Sequence, residues 1–425
     1  MSPSACPGLK AVILIAGPMK GTRFRPLSLD VPKPLFPVAG LPLIQHHIEA
    51  LSQVDQMREI LILGFYPNHE MNDFVQDMNH QYKAVTVKYL QEYTALGTAG
   101  GIYHFRDRIM SGNPEAFFVL NGDICADFPL HEMIAFHQAS ALPDVMTTIL
   151  ATEATKPQSL NYGCVVEDKH THQMLHYVEK PNSYISSQIN CGVYVFSPEI
   201  FQVLADKYQQ RQRRSETPDT EEPESMWIER DILSHMVTIG RGQVFSTTNW
   251  WSQIKTAGSV IYANRHYLKL FAQSHPERLY RATDTQTIGN VFVHPSASIH
   301  PTAVMGPNVS IGPNVIIGKG TRISESIILA DTSIGDHSLI KHAVLGMSTR
   351  VGHWTRIEGT PNDPNPNKAF AKMDNLPLFS QEGKLNPSVT VIGCNVVVPS
   401  EVIVLNSIVL PHKQIRHSFK NEIIL

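Results

Sequence analysis

The chain opens on Ala11-Val12-Ile13-Leu14-Ile15-Ala16-Gly17-Pro18-Met19-Lys20-Gly21-Thr22-Arg23-Phe24-Arg25-Pro26-Leu27, followed by Val31-Pro32-Lys33-Pro34-Leu35. The apolar run Ala11 to Ile15 predicts a strand buried on both faces. It stops at glycines, which bring backbone N–H groups close to an anion with no side chain in the way. Two arginines and a lysine follow within a few residues, able to face one oxyanion. A strand that ends in such a loop is built to hold phosphate. A glycine turn after a first strand is common to many βα units. The Arg23-Phe24-Arg25-Pro26-Leu27 and Pro32-Lys33-Pro34-Leu35 additions make this one specific.

From Leu9 to about Ala257, strand and helix patterns alternate, which predicts a parallel sheet covered by helices. A helix is expected around Ile44 to Gln53, a strand at Glu59 to Gly64, a helix near Met71 to Gln81 and a strand at Thr86 to Leu90. Phe117-Phe118-Val119-Leu120 reads as a second fully buried strand and ends in Asn121-Gly122-Asp123. Ligands in open α/β sheets sit beyond the C-terminal ends of strands. The Gly17–Arg23 loop and Asp123 both fall at such ends, so they are expected to share a cleft. The stretch from Lys207 to about Glu224 is nearly all polar, with Arg211-Gln212-Arg213-Arg214 before an acidic tract, and reads as a solvated loop.

After Val293 the texture becomes a repeat. Val293, Ile299, Met305, Ile311, Ile317, Ile323 and Leu329 stand at every sixth position. Four residues after each comes a second inward candidate: Ala297, Ala303, Val309, Val315, Thr321, Ile327 and Ser333. A fixed period of six with two inward positions is the signature of a parallel β-helix, whose coils bury their apolar sides against one another. The register slips by one and resumes through Ile340, Leu345, Val351 and Ile357. It breaks from about Glu358 to Val391 and returns at Ile392, Val398, Val404 and Leu410. The break holds Thr360-Pro361-Asn362-Asp363-Pro364-Asn365-Pro366-Asn367, which no strand tolerates.

At 425 residues the chain has room for two domains, and a hydrophobic content of 42% suits a water-soluble one. A formal charge of −3 gives no electrostatic reason to expect nucleic-acid or membrane binding. No apolar run approaches the roughly 20 residues of a membrane span, and Met1 to Leu9 lacks the pattern of a secretory signal. Cys6, Cys125, Cys164, Cys191 and Cys394 are scattered and outside any zinc-ligand spacing, as expected for reduced thiols in the cytoplasm.

The opening stretch resembles the signature of the nucleoside-diphosphate-sugar pyrophosphorylases, which run Gly-Gly-x-Gly-Thr-Arg, Arg-Pro-Leu and Pro-Lys-Pro-Leu. Arg23, Arg25-Pro26-Leu27 and Pro32-Lys33-Pro34-Leu35 match residue for residue. The resemblance implies a Rossmann-like α/β nucleotidyltransferase domain over 9–260 and a linker over 261–290. A left-handed parallel β-helix of hexapeptide repeats would follow over 291–425, with an inserted loop at about 358–391. It also implies roles for particular residues. Gly17, Gly21, Arg23 and Lys33 would face the phosphates. Asp123 would suit Mg²⁺, a hard ion that prefers carboxylate oxygens. Leu96-Gly97-Thr98-Ala99-Gly100 would lie against the nucleotide, with Glu92 accepting from guanine N–H groups. Asn161-Tyr162-Gly163, Glu179-Lys180-Pro181 and Asn190-Cys191-Gly192 would hold the sugar and its phosphate, with Lys180 on phosphate.

Two departures bear on turnover. Catalytic members carry a Trp-x-Asp-Ile-Gly stretch whose Asp is a second carboxylate for the metal. Trp251-Ser252-Gln253-Ile254-Lys255 stands there instead, so Gln253 offers a neutral carbonyl. The glycine loop is also two residues longer and contains Pro18, which has no N–H to give. The whole pattern is most similar to the GDP-mannose pyrophosphorylases. It implies a regulatory chain that binds GDP-mannose and restrains a catalytic beta partner in a homo- and hetero-oligomer, with the insert as carrier of the signal. Two rival expectations are an active mannose-1-phosphate guanylyltransferase using GTP through Arg23, Lys33 and Asp123, and a scaffold of similar domains with no sugar chemistry.

Overall fold

A computed structural model describes residues 8–17, 22–215, 225–281, 286–374 and 377–425. Gly21, the longer loop Pro18-Met19-Lys20, Cys6 and the acidic tract 216–224 lie outside the described residues. The described residues form two compact units. The first holds 8–17, Ile44–Trp251 and Asn365–Lys372; the second holds 22–43, Ser252–Pro364 and the described part of Met373–Leu425.

The first unit is built on β1 (Leu9–Leu14), whose Ala11, Val12 and Ile13 are wholly buried. It lies between β2 (Met57–Gly64) and β4 (Phe117–Asn121), parallel to both. β3 (Thr86–Gln91) extends the parallel edge beyond β2. Helices α1 (Leu43–Ser52) and α2 (Asn68–Gln81) occupy connections within a few residues of the expected places, and a further helix, α3 (Gly97–His104), begins in the Leu96–Gly100 stretch.

The other half of the sheet is antiparallel, which corrects the all-parallel expectation. β5 (Thr147–Glu153), β6 (Gly163–Glu167), β7 (Met174–Glu179) and β8 (Gln188–Phe196) follow closely on one another. β7 pairs antiparallel with β6, and β8 antiparallel with β4 and β5. The connections here hold no helix longer than Lys156–Ser159. A parallel return needs a crossover of a dozen or more residues, so short links force hairpin geometry. β9 (Gly242–Ser246) then pairs parallel with β5. Val12, Leu61, Val119, Ile149 and Tyr194 share the core between sheet and helices.

The tract around Arg211 is also corrected. Helix α4 (Ile200–Ser215) runs through it, and Arg211 pairs with Asp231 at 2.6 Å.

In the second unit, α5 (Ala257–Ser274) starts at a capping box in which Thr256 and Ser259 satisfy each other's backbone N–H. The boundary predicted at residue 260 and much of the linker predicted over 261–290 therefore fall inside a helix. Asn264 is fully buried in α5. Its Oδ1 accepts from the N–H of Ala39 at 2.8 Å and the hydroxyl of Ser310 at 2.6 Å.

The repeat forms three parallel sheets with strands stacked coil on coil, the arrangement of a left-handed parallel β-helix. Met305, Ile311, Ile317, Ile323, Ala303, Val309, Val315 and Thr321 point inward as the period predicts. Each coil turns at corners in the left-handed backbone region, occupied by Asn308, Asn314, Asp331, His337, Asn395 and others. Asn and Asp tolerate that region best among non-glycine residues.

The slip has a definite place. Met305 pairs with Ile323, but Ile311 pairs with Ile328, one residue fewer around the coil. The missing residue comes out of the corner Ser324-Glu325-Ser326, where the Ser326 hydroxyl donates to the Ser324 carbonyl at 2.7 Å and accepts from the N–H of Ala343 at 3.2 Å. After it Ile334, not Ser333, faces inward. The same short corner recurs at Lys341-His342-Ala343 and at Leu405-Asn406-Ser407. Val409 rather than Leu410 is therefore the inward residue of the last coil. Between those two corners, Leu345 pairs with Ile392 and the insert leaves the coil at this same corner. The Thr390 hydroxyl closes its base by donating to the Glu358 carbonyl. Arg265 bridges Glu325 at 3.1 Å and Asp363 at 2.8 Å, which ties down the insert's first residues.

Candidate functional site

The parallel strands β1 and β4 end side by side, with Leu14 in register with Asn121. The N–H of Gly122 donates to the Leu14 carbonyl at 2.8 Å. A Cβ on Gly122 would stand 2.7 Å from Ile15 Cγ2 and 3.0 Å from that carbonyl, so only glycine allows the approach. Gly17 and Asp123 consequently lie at the same C-terminal edge of the sheet, as the sequence predicts. Gly17 is pressed against Phe65, whose Cβ would be 2.6 Å from an added methyl.

Beside that edge, α3 begins at Leu96-Gly97-Thr98-Ala99-Gly100. Gly97 has φ +78, and a Cβ there would lie 2.3 Å from the Met226 carbonyl. That carbonyl accepts from the N–H groups of Ala99 at 3.0 Å and Gly100 at 3.2 Å. Two of the helix's leading N–H groups are thus spent on Met226, leaving fewer for a nucleotide than the sequence suggests. Thr98 is also engaged: its hydroxyl accepts from the N–H of Ile228 at 3.0 Å and donates to Glu229 Oε2 at 3.4 Å. Glu92 lies against the backbone of α3, its Oε1 2.2 Å from where a Cβ of Gly101 would be. Burial pushes its carboxyl up to about 7.

The expected sugar segments converge. A Cβ on Gly163 would sit 2.1 Å from the Tyr177 hydroxyl and 2.7 Å from Glu179 Oε2, so glycine makes room for both. Tyr177 donates to Glu179 Oε2 at 3.0 Å. Asn190 donates from Nδ2 to the hydroxyls of Tyr177 at 3.2 Å and Tyr194 at 2.9 Å. Its Oδ1 accepts from the N–H of Gly192 at 2.9 Å. Tyr194 then donates to Glu229 Oε1 at 3.3 Å. Glu179, Tyr177, Asn190, Tyr194, Glu229 and Thr98 form one hydrogen-bonded chain from the sugar segments to the start of α3.

Glu229 is the member that sequence reading misses. It lies in a π-helical turn, Ile228–Leu233, a rare geometry that tends to occur at functional sites. Burial, followed by the nearby Glu179 charge, raises its carboxyl above the usual range. Lys180 stands at φ +46 and pairs with Glu179 at 3.6 Å, its side chain 64% exposed. The N–H of Lys180 donates to the Tyr162 carbonyl at 3.1 Å, and Asn161 is exposed just before it. Trp251 donates from Nε1 to the Cys191 carbonyl at 2.9 Å and meets Tyr162 edge-on at 5.5 Å.

A nucleotidyl transferase family model matches residues 10–269. The chain belongs to this family. A GMPPB C-terminal domain model matches 287–424, so the nucleotidyl transferase region and the β-helix are each accounted for. The similarity to relatives runs the full length. Mannose-1-phosphate guanylyltransferase regulatory subunit alpha-A of Danio rerio is 54% identical, over 98% of this chain and all of its own. The regulatory subunit alpha of Drosophila melanogaster is 55% identical at the same coverage. The protein of Xenopus laevis, named mannose-1-phosphate guanyltransferase alpha-A, is 54% identical over 98% of this chain and all of its own.

Within this nucleotidyl transferase, the first unit assembles Gly17, Asp123, Glu92, Gly97, Thr98, Asn161, Gly163, Glu179, Lys180 and Asn190. Arg23, on a short 3₁₀ turn at Thr22–Phe24, Lys33, on another at Lys33–Leu35, and Gln253 belong to the second unit. Gln253 carries a neutral amide, and no group of three or more His, Cys, Asp or Glu side chains able to hold a metal occurs among the described residues. No helix among the described residues is long and apolar enough to cross a membrane.

Proposed function

We propose that this chain is the regulatory subunit of a mannose-1-phosphate guanylyltransferase, binding the product GDP-mannose and restraining a catalytic beta partner. One observation carries the reading: the Glu179–Tyr177–Asn190–Tyr194–Glu229 network is complete, while Gln253 stands where the catalytic pattern has a metal-binding Asp. Transfer of a nucleotidyl group needs positioning and charge neutralisation at the phosphates. Binding a finished sugar nucleotide needs hydroxyl and base contacts, which the network and Glu92 supply. On this reading magnesium binds weakly through Asp123 alone. Full-length identity above 50% to proteins named regulatory subunits supports it.

Restraint by product requires that GDP-mannose favour one conformation or assembly of the complex. The insert of about 358–391 is the proposed carrier of that signal to the partner's active site. The buried free thiols of Cys164, Cys191 and Cys394 suit a cytoplasmic complex.

Titrating GDP-mannose into the isolated chain, then assaying it with GTP, mannose 1-phosphate and Mg²⁺, tests the reading. Binding without pyrophosphate release is expected. Turnover stopped by Asp123→Asn would establish an active guanylyltransferase instead, and no binding at all would favour the scaffold. In the complex, an insert deletion that preserves folding is expected to abolish inhibition; unchanged inhibition would refute that route.

A further inference from the structure

Asn264 and Arg265 are successive residues of α5, and each ties a different segment to the β-helix. The fully buried Asn264 accepts at Oδ1 from the N–H of Ala39 and the Ser310 hydroxyl, and its Nδ2 donates to the Asn308 carbonyl at 3.4 Å. Asn308 Nδ2 donates to Glu325 Oε1 at 2.8 Å. Glu325 Oε2 accepts from Arg265 Nε at 3.1 Å, and Arg265 Nη1 donates to Asp363 Oδ2 at 2.8 Å. One unbroken chain of polar contacts thus runs from Ala39, in the loop that carries Arg23 and Lys33, to Asp363, at the root of the insert. Every member lies in the second unit.

The Ala39 end is built to yield. Pro37–Val38 pairs antiparallel with Leu41–Pro42, and the turn between them holds Ala39 at φ +51 and Gly40 at φ +83. A residue with a Cβ stays in that left-handed region only where its surroundings hold it. Here they are the Asn264 amide and the ring of Phe292, which an added Cβ on Gly40 would meet at 2.2 Å. The turn therefore has a strained, bonded arrangement and a relaxed, unbonded one. In the middle of the chain, the Glu325 side chain is only 14% exposed, so its charge is screened little. A movement of Arg265 with Asp363 changes the pull on Glu325, then on Asn308 and Asn264.

We propose that this network couples the loop of 22–43 to the insert, with Asn264 and Arg265 as positioning residues and the Ala39 turn as the element that switches. Polar networks ending on an element with two arrangements are what carry coupling between separate segments. The inference rests on the reading that the loop faces the ligand's phosphates and that the insert carries the signal. It adds the physical link between them.

Hydrogen exchange of the full chain, followed in peptides over 36–43 and 359–364, tests the link first without ligand. Asp363→Asn removes one of the two charges that hold Arg265, and should speed exchange over 36–43 at least about fivefold. Asn308→Gly suits the left-handed φ of +58, keeps the carbonyl and deletes the bond to Glu325. It should abolish that response, so that adding Asp363→Asn to it changes nothing further over 36–43. Thr390→Val opens the base of the insert at a bond outside the network, and should speed exchange over 359–364 alone. Unchanged or slower exchange over 36–43 in Asp363→Asn overturns the inference. So does an equal response in Thr390→Val, which would mean that any loosening of the insert spreads.

Adding GDP-mannose then separates the link from the reading beneath it. Slower exchange in both segments of the wild type, but over 36–43 alone in Asn308→Gly, supports both. If the ligand slows neither segment while the free chain shows the coupling, the assigned ligand is wrong and the link stands.

Discussion

Tyr194 donates its phenolic hydrogen to Glu229 Oε1 across 3.3 Å, joining a fully buried phenol to a half-buried carboxyl. Removing that hydroxyl leaves the carboxyl and the Asn190 amide each short of a partner. Tyr194→Phe is therefore expected to cost about 1–3 kcal/mol. Glu229→Gln keeps the shape and removes the ionisation that burial opposes, so it should cost less. The two residues share one hydrogen bond, so the double variant should depart from additivity by more than about 0.5 kcal/mol. Urea unfolding of the four proteins measures the coupling, and strict additivity would mean the bond contributes nothing.

Glu92 predicts a pH dependence. Its carboxyl has an ordinary value of 4.5 and is raised to about 7 by burial. The folded state thus holds this proton more tightly than the unfolded one. The associated stability is fully present below pH 4.5 and is lost as pH rises through 7. Glu92→Gln removes the ionisation. It should match the wild type near pH 4.5 and exceed it at pH 8 by about 1–3 kcal/mol, allowing for partial exposure. Thermal melts of both proteins across this range decide it; parallel curves would show that Glu92 titrates normally.

Gly163 is a place where one methyl group should disable the pocket. The added Cβ would collide with the Tyr177 hydroxyl and with Glu179 Oε2 together. Both atoms belong to the network, so Gly163→Ala should lower stability by about 1–3 kcal/mol. It should also weaken GDP-mannose binding at least tenfold. Wild-type affinity in a folded Gly163→Ala protein would remove the Glu179 end of the network from the site.

What could be read from the sequence follows how local each signal is. β1 and β4 are continuous apolar runs, and the coils repeat every six residues, so both stand out within a short window. The antiparallel half of the sheet was hidden because strand patterning does not carry direction; only the absence of any helix longer than Lys156–Ser159 between Glu153 and Gln188 reveals it. Glu229 was hidden for another reason. In Ile228-Glu229-Arg230-Asp231-Ile232 a carboxylate between isoleucines reads as the wet face of a helix. Its partners Tyr194 and Thr98 are 35 and 131 residues away. The docking of the insert was hidden in the same way, since nothing in a loop rich in Asn and Pro says that the backbone of Lys372 will pair with the Gln158 amide.

The β-helix supplies the last prediction. Leu345 is fully buried, between Ile328 of the preceding coil and Ile392 of the next. Leu345→Ala removes contacts to both and leaves a cavity, at a cost of about 2–5 kcal/mol. In a solenoid each coil touches only its neighbours, so the loss should spread unevenly. The coil of Ile392 packs directly on Leu345, and that of Val409 packs on Ile392. Their amides, those of Val391, Ile392 and Val409 among them, should lose hydrogen-exchange protection before those of Met305 and Ile323. A uniform loss over every coil would mean that the stack unfolds as one cooperative block, and the nearest-neighbour account of its stability would have to be abandoned.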